Sequence, residues 1–116
     1  MLKLFTIKYL SKLYILHNLY FKHKHYIKRK TYSDSGEDLY ILNNFGKKGF
    51  YVDVGCHHPT RLNNCHLLYL NSWNGVNIDP SEISIKLFDF ARKKDINICS
   101  AVSLKKGFVD FYYDKP

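Results

Sequence analysis

The chain has 116 residues, of which 46% are hydrophobic and 16% aromatic. This composition allows one small domain with a modest core and argues against an intrinsically disordered chain. The formal net charge of +8 is uneven, because residues 1–30 contain eight Lys or Arg and no acid, whereas residues 31–116 contain ten of each sign. The basic character belongs to a segment, so it does not indicate nucleic-acid binding by the whole protein, and we expect no nucleic-acid partner.

The cysteines and the hydropathy indicate a cytoplasmic protein, with peripheral membrane attachment as an option. Cys56, Cys65 and Cys99 are odd in number, which is typical of free thiols in a reducing compartment. No signal peptide is evident, and the longest uncharged run near the N-terminus, residues 13–21, is too short to span a bilayer.

Residues 1–31 are predicted to form a basic helical N-terminal segment, followed by one domain over residues 32–116. A basic cluster at residues 22–30 ends the helix, and four interpretations stay open for it: packing on its own domain or a partner, a peripheral membrane anchor, nucleic-acid contact, or a disordered or non-native leader. Apolar residues on one helical face recur at steps of three or four: Leu2, Phe5, Tyr9, Leu13, Leu16 and Tyr20.

The remaining chain alternates between strand and helix patterns. After a polar break at residues 31–36, the predicted elements are a helix over Glu37–Phe45, a strand over Phe50–Val54, a helix over Arg61–Leu70, a strand over Val76–Asp79, a helix from Ser81 to about Lys94, a strand over Ile96–Val102, a turn at residues 105–107 and a strand over Phe108–Tyr113. This order predicts an α/β fold, one half of a doubly wound, Rossmann-like sheet with a final hairpin. Trp73, Tyr112 and Tyr113 are predicted to be core or strand-face aromatics.

The strongest local signal is the stretch FYVDVGCHHP, residues 50–59. A strand runs into a glycine turn there, and ligands of such folds bind beyond the carboxyl ends of the strands. Asp53 lies near the end of the first strand and Asp79 closes the second, where an acid can accept hydrogen bonds from ribose hydroxyls. Both acids could instead only cap turns. Of the three glycines in a G-x-G-x-x-G pattern, only the first is present here, as Gly55, and this disfavours a nicotinamide enzyme.

The stretch from Tyr32 to Tyr113 resembles the FkbM-type methyltransferases, a family of Rossmann-like class I enzymes that use S-adenosylmethionine. The resemblance rests on a specific combination of three motifs that occur in the family's order: VDVG-x-x-HPTR, then G-x-NIDP, then DIN-x-x-x-AVS. The matching blocks are SDSGED (33–38), GFYVDVGCHHPTRLNN (49–64), LLYLNSWNGVNIDPS (67–81), IKLFDFARKKDINICSAVS (85–103) and KGFVDFYY (106–113).

The resemblance implies S-adenosylmethionine as the cofactor and a role for particular residues. It places Asp53, Val54 and Gly55 at the methionine moiety and Asp79 at the ribose hydroxyls. The resemblance also places the end of the third strand beside the adenine, at Ala101, Val102 and Ser103. Glu37 and Asp38 match a GED block to which we assign no role.

The implied activity is methyl transfer to an oxygen of a sugar or small metabolite. The family pattern continues into a further strand with an I-D-x-E-G block that is absent here, so we expect an incomplete N-terminal part without turnover of its own. Two alternatives follow from this departure: a non-catalytic remnant or interaction module tethered by the basic helix, and a partner chain that completes the sheet. Where the family often shows VDVGANHP, this chain has Cys56 and His57, and Asp34 is a further departure.

The histidines are weak candidates for chemistry. His57 or His58 could act as a general base, because imidazole titrates near neutral pH. The spacing C-H-H-x6-C-H, which ends at Cys65 and His66, matches no closed zinc site, so no metal is expected. Turn and packing roles are the other interpretation of these residues.

Overall fold

The computed structural model describes residues 11–112, and predictions for residues 1–10 and 113–116, Tyr113 included, lie outside the described residues. Residues 11–16 are α-helical and lead into a π-helical turn, His17–Lys22, and a 3₁₀ turn, Lys24–Tyr26. Helical structure is thus present over residues 11–22 and 24–26 of the segment predicted to be helical, whereas residues 27–31 are not helical. No helix in this described range is both long and apolar enough to cross a membrane.

Three strands form one parallel sheet. They are β1 (Phe50–Val54), β2 (Asn74–Asp79) and β3 (Ile96–Cys99), and they lie in the order β1-β2-β3. The register aligns Tyr51 with Gly75 and Asp79 with Cys99. The helices are α1 (Glu37–Phe45), α2 (His66–Leu70) and α3 (Glu82–Ala91), of which α2 and α3 connect successive strands. The predicted α/β class with a parallel sheet is confirmed, and the three-stranded sheet is consistent with a partial Rossmann-like fold.

The beginnings of α1 and α3 are fixed by side-chain hydrogen bonds. Ser81 caps α3 by accepting a hydrogen bond from Ser84 N at 3.3 Å, as predicted. At α1 the buried Asp38 carboxylate accepts hydrogen bonds from Tyr32 N at 2.7 Å and from the hydroxyls of Thr31 and Ser33. Burial favours the neutral acid, but these hydrogen bonds outweigh it and lower the pKa of Asp38. The acid of the GED block thus has a structural role, holding residues 31–33 against α1.

The helices α1, α2 and α3 cover the same face of the sheet. Tyr51 of β1 packs with Leu68 of α2 and, through that cluster, with Ile41 of α1, while Phe88 of α3 packs on Cys56 just after β1. The strand residues that alternate onto this covered face are mostly polar: Tyr51, Asp53, Gly75, Asn77, Asp79 and Asn97. Gly75 is required there, since a Cβ atom at this position would overlap the backbone oxygen and ring of Tyr51.

The opposite face of the sheet is apolar and uncovered by the described residues. Phe50, Val52 and Val54 of β1 are exposed, as are Ile96 and Ile98 of β3, and the residues between them on β2 are half-buried. We call this surface the bare face: Phe50, Val52, Val54, Val76, Ile78, Ile96 and Ile98. Parallel sheets are normally buried on both faces, so a surface of this kind is typical of a larger core.

Two predicted helices are shorter than expected. The helix predicted over Arg61–Leu70 begins only at His66, because residues 59–65 form turns in which Leu62 has a φ of 47°. The helix predicted to reach Lys94 ends at Ala91. The next residue, Arg92, turns inward and is fully buried instead of lying at an exposed helix end.

The prediction of a fourth strand over Phe108–Tyr113 is wrong for residues 108–112, which are the part of it that the structure describes. Residues 100–112 are exposed and carry no strand, and Tyr112 is 87% exposed instead of lying on a sheet face. The third strand ends at Cys99 and not at Val102, since β2 has already turned into α3 after Pro80 and offers no further partner. Trp73, in contrast, is buried as predicted.

Candidate functional site

Of the predicted site residues on the first two strands and the turn after β1, Asp53, Gly55 and Asp79 lie at one corner of the sheet. Gly55 follows β1 with a φ of 73°, a left-handed conformation that favours glycine, and its N–H donates to Ile78 O at 2.8 Å. The Asp79 carboxylate at the end of β2 accepts hydrogen bonds from His57 N at 2.9 Å and from Ser81 N at 2.8 Å. Asp79 is buried, and it ties the loop after β1 to the start of α3. The turn-capping role considered for this acid is therefore present.

Asp53 lies on the same sheet face as Asp79 and is half-buried. Its Oδ2 accepts a hydrogen bond from Asn63 Nδ2 at 3.3 Å. Burial raises the pKa of Asp53, hydrogen bonds from Cys65 and Asn63 and the charge of Arg92 offset part of that rise, and the charge of Asp79 adds to it. Two carboxylates at one half-buried corner thus make an environment in which a cationic ligand is favoured.

The cysteines nearest to this corner are unreactive. Burial, followed by the charges of Asp53 and Asp79, raises the pKa of the Cys56 thiol to about 12. Burial likewise raises the pKa of Cys65. Both side chains are buried as neutral thiols, so neither is a candidate nucleophile at neutral pH.

The two histidines of the loop after β1 have different environments. His58 is buried, and burial lowers its pKa to about 3. Its Nδ1 accepts from Arg61 N at 2.9 Å, which leaves the proton on Nε2, 2.8 Å from Asn18 Oδ1. With both nitrogens engaged, His58 acts as a structural link to the N-terminal segment and is a poor general base. His57 is exposed, with a φ of 55°, and stays a candidate base.

The residues expected beside an adenine lie in the coil after β3. A cavity of about 750 Å³ separates this coil from the end of β2. Ala101 and Ser103 line it, whereas Val102 is exposed and is not among its lining residues. Asp53 and Asp79 do not line it either. Val54 points away from the corner, onto the bare face.

Sequence reasoning missed a buried arginine below the corner. Arg92 Nη2 donates to Pro59 O at 2.7 Å and to Asn63 Oδ1 at 2.9 Å, and Nη1 donates to Tyr51 OH at 2.9 Å. Asp95, 3.6 Å from Nη1, is the counter-charge. Arg92 thereby fixes the loop that contains the candidate site. The sequence signal for a buried arginine was the alternation of polar residues, such as Tyr51, on one face of the strands, together with an arginine at the end of a helix.

Asp95 extends this network into the sheet. Its carboxylate accepts from Tyr51 OH, from Gly75 N at 3.0 Å and from Asn77 Nδ2 at 2.9 Å. The Arg92 and Asp95 side chains are fully buried, so the network supports the site from below. Within residues 11–112, no group of three or more His, Cys, Asp or Glu side chains could hold a metal ion.

The fold and this corner are the observations on which a function can be based. Comparison of the chain with family models, with curated proteins and with solved structures finds no match in any of the three.

Proposed function

We propose that this chain is the cofactor-binding part of an S-adenosylmethionine-dependent methyltransferase of the FkbM type, acting on a hydroxyl group of a sugar or small metabolite. One observation carries the proposal: Asp53, Gly55 and Asp79 converge at the carboxyl ends of two neighbouring parallel strands. Ligands of open α/β sheets bind at such ends. The motifs that resemble the family supply the identity of the cofactor.

The corner has properties that fit a cationic nucleoside ligand. A Cβ atom at Gly55 would meet nothing within 4 Å, so the backbone there is open to close approach. The pKa of Asp53 is raised chiefly by burial, and a bound cation would offset that cost by stabilising the carboxylate. Each oxygen of Asp79 accepts one backbone N–H and keeps a lone pair for a ribose hydroxyl.

The cofactor would supply an activated methyl group on a sulfonium. The residues of this chain would hold the donor: Asp53 at the ammonium group, Asp79 at the ribose, and Gly55 along the backbone. The exposed His57, whose backbone N–H donates to Asp79, is a candidate to take the acceptor's proton.

Calorimetric titration of residues 1–116 with S-adenosylmethionine tests this function. We expect binding by the wild type, and affinity weakened about 5- to 150-fold in Asp53→Asn and in Asp79→Asn, as expected for lost charge-assisted hydrogen bonds. Asp89→Asn is the matched control, because it makes the same charge change at an exposed position of α3. Circular dichroism melting checks that each variant is folded. No binding by the folded wild type, or equal loss in Asp89→Asn, contradicts the proposal.

The bare face favours a second candidate function, a non-catalytic module that associates through its sheet. Its exposed apolar residues include Phe50, Val52 and Ile96. Under this alternative the chain assembles with a partner chain and does not bind the cofactor. Light scattering after size exclusion, carried out beside the titration, separates the two: assembly without S-adenosylmethionine binding supports the second candidate.

A further inference from the structure

The N-terminal segment presents a surface that the proposed function does not use. Six cations between residues 12 and 30 are exposed, and no Asp or Glu occurs before Asp34. We call this the basic surface: Lys12, Lys22, Lys24, Lys28, Arg29 and Lys30. Within residues 11–112, none of these six side chains forms an ion pair with a carboxylate. Their charge is therefore available to an anionic partner.

Large apolar side chains are exposed among these cations. Phe21 is 71% exposed, and Leu13, Tyr20 and Ile27 are also exposed. A helical segment that only packed on its own domain would turn such residues inward. Cations interleaved with outward apolar and aromatic side chains are typical of segments that lie in a membrane interface.

The orientation of the segment is fixed by the domain. Asn18 and Leu19 are buried, and Asn18 Oδ1 is 2.8 Å from His58 Nε2 in the loop after β1. His23 packs edge-on against the same His58 ring, with centroids 4.8 Å apart. These contacts hold one side of the segment on the domain, so the opposite side, with Phe21 and its neighbouring lysines, is directed outward.

We infer that the basic surface and its apolar neighbours bind the surface of an anionic lipid bilayer. Lysines near such a surface are attracted to acidic headgroups, and the apolar side chains enter the headgroup region. Single-stranded RNA is the main competing partner for a basic aromatic surface, since bases stack on aromatic rings. It explains Tyr20 and Phe21 but not the exposed aliphatic Leu13 and Ile27, which have no ring on which a base can stack.

Co-sedimentation of residues 1–116 with lipid vesicles tests this inference. The wild type is expected to bind vesicles of phosphatidylcholine mixed with phosphatidylglycerol, more weakly at high salt, and to stay in solution with phosphatidylcholine alone. The triple variant Lys22→Gln, Lys24→Gln, Lys28→Gln should bind about a hundredfold more weakly. Phe21→Ala should bind about tenfold more weakly.

The chain offers a matched control on α1 and the loop after it. Phe45 is 68% exposed and is followed by the exposed Lys47 and Lys48. A Phe45→Ala, Lys47→Gln, Lys48→Gln variant should bind vesicles within about twofold of the wild type, because it leaves the basic surface intact. Circular dichroism establishes that all variants are folded.

Three results would overturn the inference. They are no binding to the anionic vesicles, equal binding to both vesicle types, or the same loss in the control variant as in the lysine variant. An oligouridylate that removes the wild type from vesicles at equal phosphate concentration would assign the surface to nucleic acid instead. The outcome does not depend on cofactor binding, so it stands apart from the test of the proposed function.

Discussion

Replacing Arg92 with methionine removes the centre of the buried network while keeping most of the side-chain volume. The guanidinium donates four hydrogen bonds, to Tyr51 OH, Cys65 O, Pro59 O and Asn63 Oδ1, and faces the Asp95 carboxylate at 3.6 Å. The substitution removes the donor to Tyr51 OH and Pro59 O and leaves the Asp95 carboxylate without its counter-charge. Asn63 Oδ1 and Cys65 O keep the N–H groups of Cys65 and Tyr69 as donors. Breaking a buried pair in this way costs about 3–5 kcal/mol, a large part of the roughly 5–15 kcal/mol that stabilises a small domain.

Urea unfolding followed by circular dichroism measures this loss. Arg92→Lys keeps the charge but not the fork of donors, so we expect a smaller loss of about 1–3 kcal/mol. Lys93→Met is the control, since its side chain is exposed, and it should stay within about 0.5 kcal/mol of the wild type. An Arg92→Met protein that is unfolded in buffer agrees with the expectation if Lys93→Met is folded. Stability of Arg92→Met within about 1 kcal/mol of the wild type would refute the central role of the network.

Two further predictions concern stability. Burial lowers the pKa of His58 and of His66 to about 3, below the ordinary value of 6.5. Between these two pH values the unfolded chain binds more protons than the folded chain, so the free energy of unfolding falls with acidification. From pH 7 to 5.5 we expect urea unfolding to show a loss of about 2–3 kcal/mol, and a stability that does not change with pH would contradict this. Gly75→Ala should lower the melting temperature by several degrees, because the added carbon overlaps Tyr51. Gly107→Ala is the control and should leave the melting temperature unchanged, since nothing lies within 4 Å of its added carbon. Equal melting temperatures for the two variants would disprove the close approach of Gly75 to Tyr51.

The regular elements could be predicted because their local signals agree with their packing. The helix Glu37–Phe45 and the strand Phe50–Val54 have the predicted bounds. The strand is strongly apolar, and the helix begins with two acids and ends before Gly46, whose φ of 91° suits glycine. The convergence of Asp53 and Asp79 on one face follows from the parallel register, which the alternation of strands and helices predicted.

The remaining features depend on contacts distant in sequence. Arg92 resembles an ordinary cation at a helix end, and only the approach of the loop at residues 59–65 makes it a buried donor. Alternation along a strand separates two faces but does not say which face the helices cover, so the polar covered face was not foreseen. Phe108–Tyr113 has strand-like residues, yet a strand needs a partner, and no described strand lies beside its described part.

The bare face has a consequence for the heat capacity of the chain. Residues such as Val52 and Ile96 are hydrated before unfolding as well as after it, so they contribute little to the heat-capacity change of unfolding. The heat-capacity increment of unfolding should therefore fall below the usual ~12–15 cal/mol/K per residue, and stability should vary less with temperature than in a domain whose sheet is covered on both sides. Any partner that covers the sheet will bind with a negative heat-capacity change, which calorimetry at several temperatures detects without knowledge of the partner's identity.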